Sequence, residues 1–398
     1  MTEVSAQTIL PGATIGILGG GQLGRMLVLA GRNMGYRFVT LDPTENSPCG
    51  QVADSQLVAN YDDLEAAQQL IQLCDVITYE FENVDIQVTN MLREQAYVPQ
   101  GTELLYVTQH RIREKQALVD AGVKVAPYVQ IHNLHQLQAE IAHMGLPCVL
   151  KTVTGGYDGK GQTVIHSLQD LESIWESYSP WKLELVLEKF IQLDKELSVI
   201  VARNMNGQVK AFPPAENKHV SNILHTSIVP ARVSTDIQQE AINIALHIAE
   251  SFQIVGLLAV EFFLSREGQL YVNELAPRPH NSGHYTMEAC KTSQFEQHLR
   301  AICNLPLGST ELMSSVVMVN VLGEHIQPLM QWMQNEDSEQ HDIGVSAKLH
   351  VYGKHEVKEK RKMGHVNVLT THIDSALAWI DRSAIWRNEQ GYEQMKNS

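Results

Sequence analysis

Three stretches near the middle of this 398-residue chain combine residue types that handle phosphate. Lys151 ends the apolar run Cys148-Val149-Leu150. Soon after comes Gly155-Gly156-Tyr157-Asp158-Gly159-Lys160-Gly161-Gln162, whose glycines let backbone N–H groups fold over a polyphosphate while Lys160 adds positive charge. It is not a Walker A loop, because G-x-x-x-x-G-K-[ST] is absent. The third feature is Glu261, set in the apolar run Leu257–Leu264, with Glu274 in the next run. The two runs read as a hairpin around Arg266–Gly268. With the turn centred between Arg266 and Glu267, Glu261 pairs with Val272 and Glu274 is its diagonal neighbour on the same face. A carboxylate in an apolar strand is costly without a counter-charge, and Mg²⁺ bridging both acids to nucleotide phosphates would supply one. Each feature has a plainer alternative: a solvated strand-end lysine, a surface turn, and two solvated acids on an exposed hairpin.

A second glycine loop lies near the N-terminus. Gly19, Gly21 and Gly24 form G-x-G-x-x-G after a strand and before a helix, and Asp42 comes 18 residues after Gly24 at the end of the next strand. This is the pattern of a dinucleotide site, with Asp42 as the ribose-binding acid, and it makes an NAD-dependent oxidoreductase the alternative of another class. The same glycines could instead serve strand-to-helix packing. The chain beyond this unit is antiparallel and carries a different nucleotide signature, which weighs against NAD.

A lysine, a glycine flap and two metal carboxylates on separate strands, without a P-loop, resemble the ATP-grasp superfamily, whose members activate a carboxylate as an acyl phosphate. Gly19–Met26, Tyr79-Glu80-Phe81-Glu82-Asn83-Val84, Gly155–Gln162 and Asn273-Glu274-Leu275-Ala276-Pro277-Arg278-Pro279-His280-Asn281-Ser282-Gly283-His284 narrow the resemblance to the N5-carboxyaminoimidazole ribonucleotide synthetase family of purine biosynthesis, over nearly the whole chain. It implies α/β and α+β architecture in three parts. These are a Rossmann-like parallel sheet at 1–110, a two-lobed ATP-grasp domain at 111–305 (flap lobe about 125–190, metal lobe about 191–305) and a β-rich C-terminal domain at 306–398.

The resemblance also implies the site. Arg111, Lys151 and the flap Gly156, Tyr157, Asp158, Gly159, Lys160, Gly161 and Gln162 would contact ATP phosphates. Glu188, Lys189, Phe190 and Ile191 would hold adenine by backbone groups, Glu196 the ribose, and His219 would lie beside the nucleotide. Glu261 and Glu274 would hold Mg²⁺, or Mn²⁺, with Asn273 adjacent; Ala276 stands where many superfamily members have Asn. The implied small-molecule substrates are ATP, bicarbonate and aminoimidazole ribonucleotide, joined through carboxyphosphate. Gln22, Leu23, Glu80, Tyr157, Asp158, Lys160, Arg278, His280, Asn281, Lys354 and Arg361 would bind the ribonucleotide or line the reaction centre, with Arg278, Lys151 and Asp158 catalytic. A homodimer is implied, and biotin is not, since Met395-Lys396 stands outside any Ala-Met-Lys-Met carrier motif. The nearest rival is a formate-dependent glycinamide ribonucleotide transformylase with the same ATP chemistry.

The elements that must position these residues can be read from periodicity. Ile15–Leu18, Phe38–Leu41 and Val76–Tyr79 read as strands alternating with helices at Gln22–Met34 and Leu64–Leu73, a βαβαβ unit. From Val125 onward the strands are joined by Gly turns, as at Asn206-Gly207. Hydrophobic residues at 44% and charged residues at 19% describe a globular chain. The net charge of −15 argues against nucleic acid as a partner. Against that background Lys348, Lys354, Lys358, Lys360, Arg361 and Lys362, six cations within 15 positions, favour binding of a small anion. Five cysteines without C-x-x-C spacing indicate reduced thiols. No run reaches the roughly 18 apolar residues of a membrane span, so no membrane partner and a cytoplasmic location are expected.

Overall fold

The computed structural model describes residues 7–82, 84–155, 161–178, 184–334 and 344–386. The flap positions Gly156, Tyr157, Asp158, Gly159 and Lys160 lie outside the described residues, as does Asn83. Strands β1 (Thr14–Leu18), β2 (Arg37–Leu41), β3 (Ser55–Leu57) and β4 (Val76–Tyr79) form a parallel sheet in the order β3-β2-β1-β4. Parallel neighbours need crossovers, and the helices Gln22–Asn33 and Leu64–Leu73 provide them. The first buries Leu23, Met26, Leu27 and Gly31, the spacing of one helical face. At Gly31 a Cβ would collide with the Phe38 ring, so the missing side chain sets how closely this helix rests on β2.

A second, antiparallel sheet holds β5 (Tyr128–Ile131), β6 (Cys148–Thr152), β7 (Gln162–Ile165) and β8 (Leu185–Lys189) in the order β5-β8-β6-β7. The half-buried Phe190 and Ile191 then lead into the largest sheet. That sheet contains β9 (Leu193–Arg203), β10 (Val209–Ala211), β11 (Ala215–Val220), β12 (Ile223–Val229), β13 (Gly256–Ser265) and β14 (Leu270–Ala276). It also contains β15 (Ser315–Leu322), β16 (Val345–Val351) and β17 (Lys362–Thr370), in the order β14-β13-β9-β11-β12-β15-β17-β16 with β10 on β9. The C-terminal strands, which the sequence assigns to a part of their own, therefore continue the central sheet: β12 pairs with β15 from Thr226↔Val319 to Val229↔Val316. They still build a core of their own, in which Val317, Val319, Val366 and Val368 pack with Leu329, Ile380 and Trp386.

Alternation along β9 and β13 separates a core face from a functional face. Leu197, Val199, Val201, Val260 and Phe262 pack against the helix Thr235–Ser251 through Ala241, Ala245 and Ile248. Glu196, Ser198 and Glu261 fall on the opposite face, because Ser198 pairs with Glu261 and Glu196 with Phe263. The helix Gln294–Ile302 joins this sheet to the N-terminal one: its Phe295, Leu299 and Ile302 share a core with Ile15, Ile17, Leu27 and Phe38. Each such side chain contributes about 1.5–3 kcal/mol when buried, so the two parts are held in one arrangement.

Candidate active site

The acid pair is closer than the sequence suggests. Glu261 pairs directly with Glu274, whereas Phe262 pairs with Val272; Asn273 is the extra residue of a β-bulge. The expected pairing of Glu261 with Val272 is thus corrected by one bulge and a hairpin turn shifted by half a residue. Directly opposed carboxylates repel. Burial, and then the charge of Glu261, push the Glu274 carboxyl above the usual range. Burial also works against ionisation of Glu261, but the hydrogen bond and charge of His280, with His219 and Arg278, hold it down at about 2. The Oδ1 of Asn273 is buried without a hydrogen-bond partner among the described residues. Two opposed acids beside an unpartnered carbonyl oxygen fit a hard divalent cation. Among the described residues no group of three or more His, Cys, Asp and Glu is poised for a metal. A cation here must therefore draw further oxygens from a ligand.

Cations stand next to the acids. The helix Arg111–Asp120 is capped by His110, whose Nδ1 accepts from the Arg113 N–H at 3.3 Å. Arg111, Glu114 and Lys115 share one face of it, at the three- and four-residue spacing of helical neighbours. Arg111 Nη1 is 3.3 Å from Glu274 Oε2. Glu114 accepts from the Leu275 N–H at 2.7 Å, and burial with the nearby Glu274 raises its carboxyl to about 8. Lys151, at the end of β6, lies 2.9 Å from Glu188 Oε2 on β8. Burial lowers the Lys151 ammonium, opposed by Glu188 and assisted by Lys115 and Arg111. Lys189 on the same strand is exposed. At the flap's C-terminal root, Gly161 has φ +73° and accepts from the Thr152 N–H, and Gln162 opens β7. At its N-terminal root, Thr154 and Gly155 line a cavity of about 670 Å³ with Tyr61, Val84, Gln109 and Arg113. Glu196 Oε2 is 2.7 Å from His219 Nδ1. Burial lowers the His219 imidazolium, but Glu196 outweighs it, and the net direction is upward.

The loop after β14 is anchored at both ends. Arg278 Nη2 reaches Glu82 Oε1 at 2.9 Å, across to the loop that follows β4. Gln100 donates to the Pro277 carbonyl at 2.6 Å. His280 uses both ring nitrogens, Nε2 at 3.1 Å from Glu261 and Nδ1 at 2.9 Å from Ser282 Oγ. The resemblance implies Asn281 at the reaction centre, whereas in the structure its amide is matched to that of Asn320 by two hydrogen bonds of 3.0 and 2.7 Å. That arrangement fixes the loop to β15.

The N-terminal glycine loop differs from the dinucleotide expectation. Glu80 accepts from the Gly21 and Gly24 N–H groups, and Asp42 accepts from the Gly20 N–H at 2.7 Å. The amides that would cradle a pyrophosphate already hold the protein's own carboxylates. A Cβ at Gly19 would collide with the Glu80 side chain, so the glycines here permit that approach. Asp42 also accepts from the Thr44 N–H at 2.8 Å and from Tyr61, which removes it as a ribose acid. Leu23 is buried in the core with Ile17 and Met26, which corrects its side chain as a ligand, while Gln22 is half-buried. Burial raises the Glu80 carboxyl, against the pull of the two amides and of Lys354. Lys354 donates to the Lys362 carbonyl at 2.7 Å and lies in the charge field of Arg361, Glu80 and Lys362. Arg361 donates to the Glu356 carbonyl at 2.9 Å. Burial first, then Arg361, bring the Lys354 ammonium down to about 8.

Gln100, Glu114, Lys115 and Asn320 carry structural weight in this site and do not stand out in the sequence, while Glu82 is marked there only as part of the Tyr79–Val84 stretch. Only the Arg-x-x-Glu-Lys spacing at 111–115 could have marked two of them, as three charges on one helix face.

Comparison with known proteins covers most of the chain. Residues 12–109 match the ribonucleotide synthetase preATP-grasp domain, 116–295 the ATP-grasp domain and 316–378 the phosphoribosylaminoimidazole carboxylase C-terminal domain. The chain is 48% identical over 388 residues to the N5-carboxyaminoimidazole ribonucleotide synthase of Bacillus subtilis (strain 168), covering 98% of this chain and 99% of that one. A crystal structure of an N5-carboxyaminoimidazole ribonucleotide synthetase complexed with ADP superposes with a TM-score of 0.91 at 52% identity, covering 98% of this chain and 100% of that one. The Aspergillus clavatus enzyme, in complex with ADP and 5-aminoimidazole ribonucleotide, gives 0.85 at 30% identity over 93% of this chain and 97% of that one.

Proposed function

This chain belongs to the N5-carboxyaminoimidazole ribonucleotide synthase family of ATP-grasp ligases, and from that premise we propose how its residues divide the reaction. It is an ATP-dependent ligase that carboxylates 5-aminoimidazole ribonucleotide with bicarbonate in purine biosynthesis, giving the N5-carboxy product, ADP and phosphate.

Arg111, Lys151 and the flap at 156–162 take the ATP phosphates, the backbone of Glu188–Ile191 takes adenine, Glu196 takes the ribose hydroxyls and His219 flanks the nucleotide. Glu261 and Glu274, with Asn273 beside them, hold Mg²⁺, which when bound neutralises phosphate charge. Bicarbonate oxygen attacks the γ-phosphorus, ADP departs, and Lys151 and Arg111 stabilise the charge that develops. The resulting carboxyphosphate is short-lived in water, which gives the flap its task of excluding solvent. Arg278 exchanges Glu82 for bicarbonate and orients it. The exocyclic amine of the ribonucleotide then attacks the carboxyl carbon, the carbon–oxygen bond to phosphorus breaks and inorganic phosphate leaves, while Asp158 takes or holds the amine proton. Lys354 and Arg361 receive the substrate phosphate, and Gln22, Glu80, Tyr157, Lys160 and His280 border the ribonucleotide. We place the enzyme in the cytoplasm as a homodimer; sedimentation at a mass twice that of the chain tests the dimer.

The observation that carries this division of labour is the Arg278–Glu82 pair at 2.9 Å. It ties the loop after the acid pair to the segment after β4, whose Glu80 lies in the charge field of Lys354, so a triphosphate on one side and a ribonucleotide on the other would meet at Arg278. The test is a coupled assay of phosphate release with ATP, bicarbonate and aminoimidazole ribonucleotide, each omitted in turn. Release should require all three. Release sustained by formate and glycinamide ribonucleotide would overturn the reading.

A further inference from the structure

Lys115 takes no direct part in this reaction, yet it is one of the most deeply buried charges in the molecule. It is 2% exposed, as is Glu188. Its Nζ lies 3.3 Å from Glu188 Oε2, the same oxygen that Lys151 Nζ approaches at 2.9 Å. Beyond that ion pair, the Lys115 ammonium has no hydrogen-bond partner among the described residues, and neither does the other oxygen of Glu188. Two ammonium groups on one carboxylate oxygen leave the triad with one positive charge in excess, in a place where an uncompensated ion is expensive. The neighbouring Arg111 lies 3.3 Å from Glu274 and so has a carboxylate of its own.

A single lysine would have satisfied Glu188. The second makes sense if the first must leave. When a triphosphate enters, Lys151 has to turn from Glu188 to phosphate oxygen; without Lys115 that move would strand a buried carboxylate. We propose that Lys115 is a positioning residue for ATP, holding Glu188 neutralised so that Lys151 can be given over to the nucleotide. The triad then carries its excess charge only while it waits for an anion. This rests on the assignment of Lys151 to the ATP phosphates.

Equilibrium titration of ATP against four proteins tests it. Lys115→Met should weaken ATP binding by about tenfold to a hundredfold, the scale of leaving a buried charge without its partner. Its kcat at saturating ATP should stay within about threefold, since the defect is in binding. The double variant Lys115→Met with Glu188→Gln removes the anion together with the second cation, keeps the backbone assigned to adenine, and should regain most of the ATP affinity that the single variant loses. A packing role for Lys115 predicts no such rescue. ATP affinity unchanged in Lys115→Met, or a double variant as weak as the single, overturns the proposal. Should Lys115→Met not fold, the double variant decides alone: a loss beyond about tenfold overturns it. Lys151→Met separates the two ideas. Undiminished ATP binding in that variant removes the assignment of Lys151, whereas weakened binding beside a normal Lys115→Met removes only the role of Lys115.

Discussion

Two places in this chain carry the marks of a phosphate site: the glycine loop at 19–24 and the surroundings of Lys151. They differ in what the protein has already put there. At the first, Glu80 and Asp42 occupy the amides of Gly20, Gly21 and Gly24. At the second, Lys115 and Lys151 share one carboxylate oxygen and leave positive charge over. An amide nest recruits a phosphate only when nothing of the protein fills it, and a buried cation recruits one only when its counter-ion is insufficient. Motif spacing reports neither condition.

The contrast can be broken most severely at the acid pair. Glu274→Gln removes one of two opposed carboxylates, and kcat should fall by about 10²–10³, as for loss of a group that acts on transition-state charge. ADP release titrated with Mg²⁺ checks this; near-normal turnover would show that the pair holds no cation. A smaller effect is expected in the basic pocket. Lys354→Met should raise KM for the ribonucleotide by about tenfold to a hundredfold and leave KM for ATP unchanged. Equal change in both constants would mean that the pocket serves the nucleotide. The glycine loop is sharpened by Glu80→Gln, which weakens the acceptor for two amides. Thermal unfolding should show a loss of about 1–3 kcal/mol, and titration with NADH should show no binding. Last, the Lys354 ammonium, brought down to about 8, is charged below that pH and neutral above it. The kcat/KM for the ribonucleotide should therefore fall as pH rises through about 8, and the break should move upward in Lys354→Arg.

The elements near the site were legible because each arises from a local pattern. Leu64–Leu73 and Val76–Tyr79 are bounded as the periodicity indicates. Lys151, Glu261 and Glu274 stand out because a charge at the end of, or inside, an apolar strand is conspicuous. The register of the acids was not legible, since one inserted residue at Asn273 decides it and a bulge leaves no composition signal. Partnerships across long separations were hidden for a related reason: Arg278 with Glu82 and Asn281 with Asn320 join elements whose docking only the tertiary fold specifies. Lys115 looks like an ordinary surface helix charge until Glu188 arrives from β8.

The junction of β12 with β15 has a practical consequence for anyone who would dissect the enzyme. β12 is buried along its whole length, with one flank closed by β11 and the other by β15. A chain cut between the ATP-grasp and C-terminal segments would leave four residues, Thr226–Val229, as an open edge with unanswered amides and carbonyls. Such a fragment should precipitate or zip onto its own copies, so the two segments are expected to be obtainable only together.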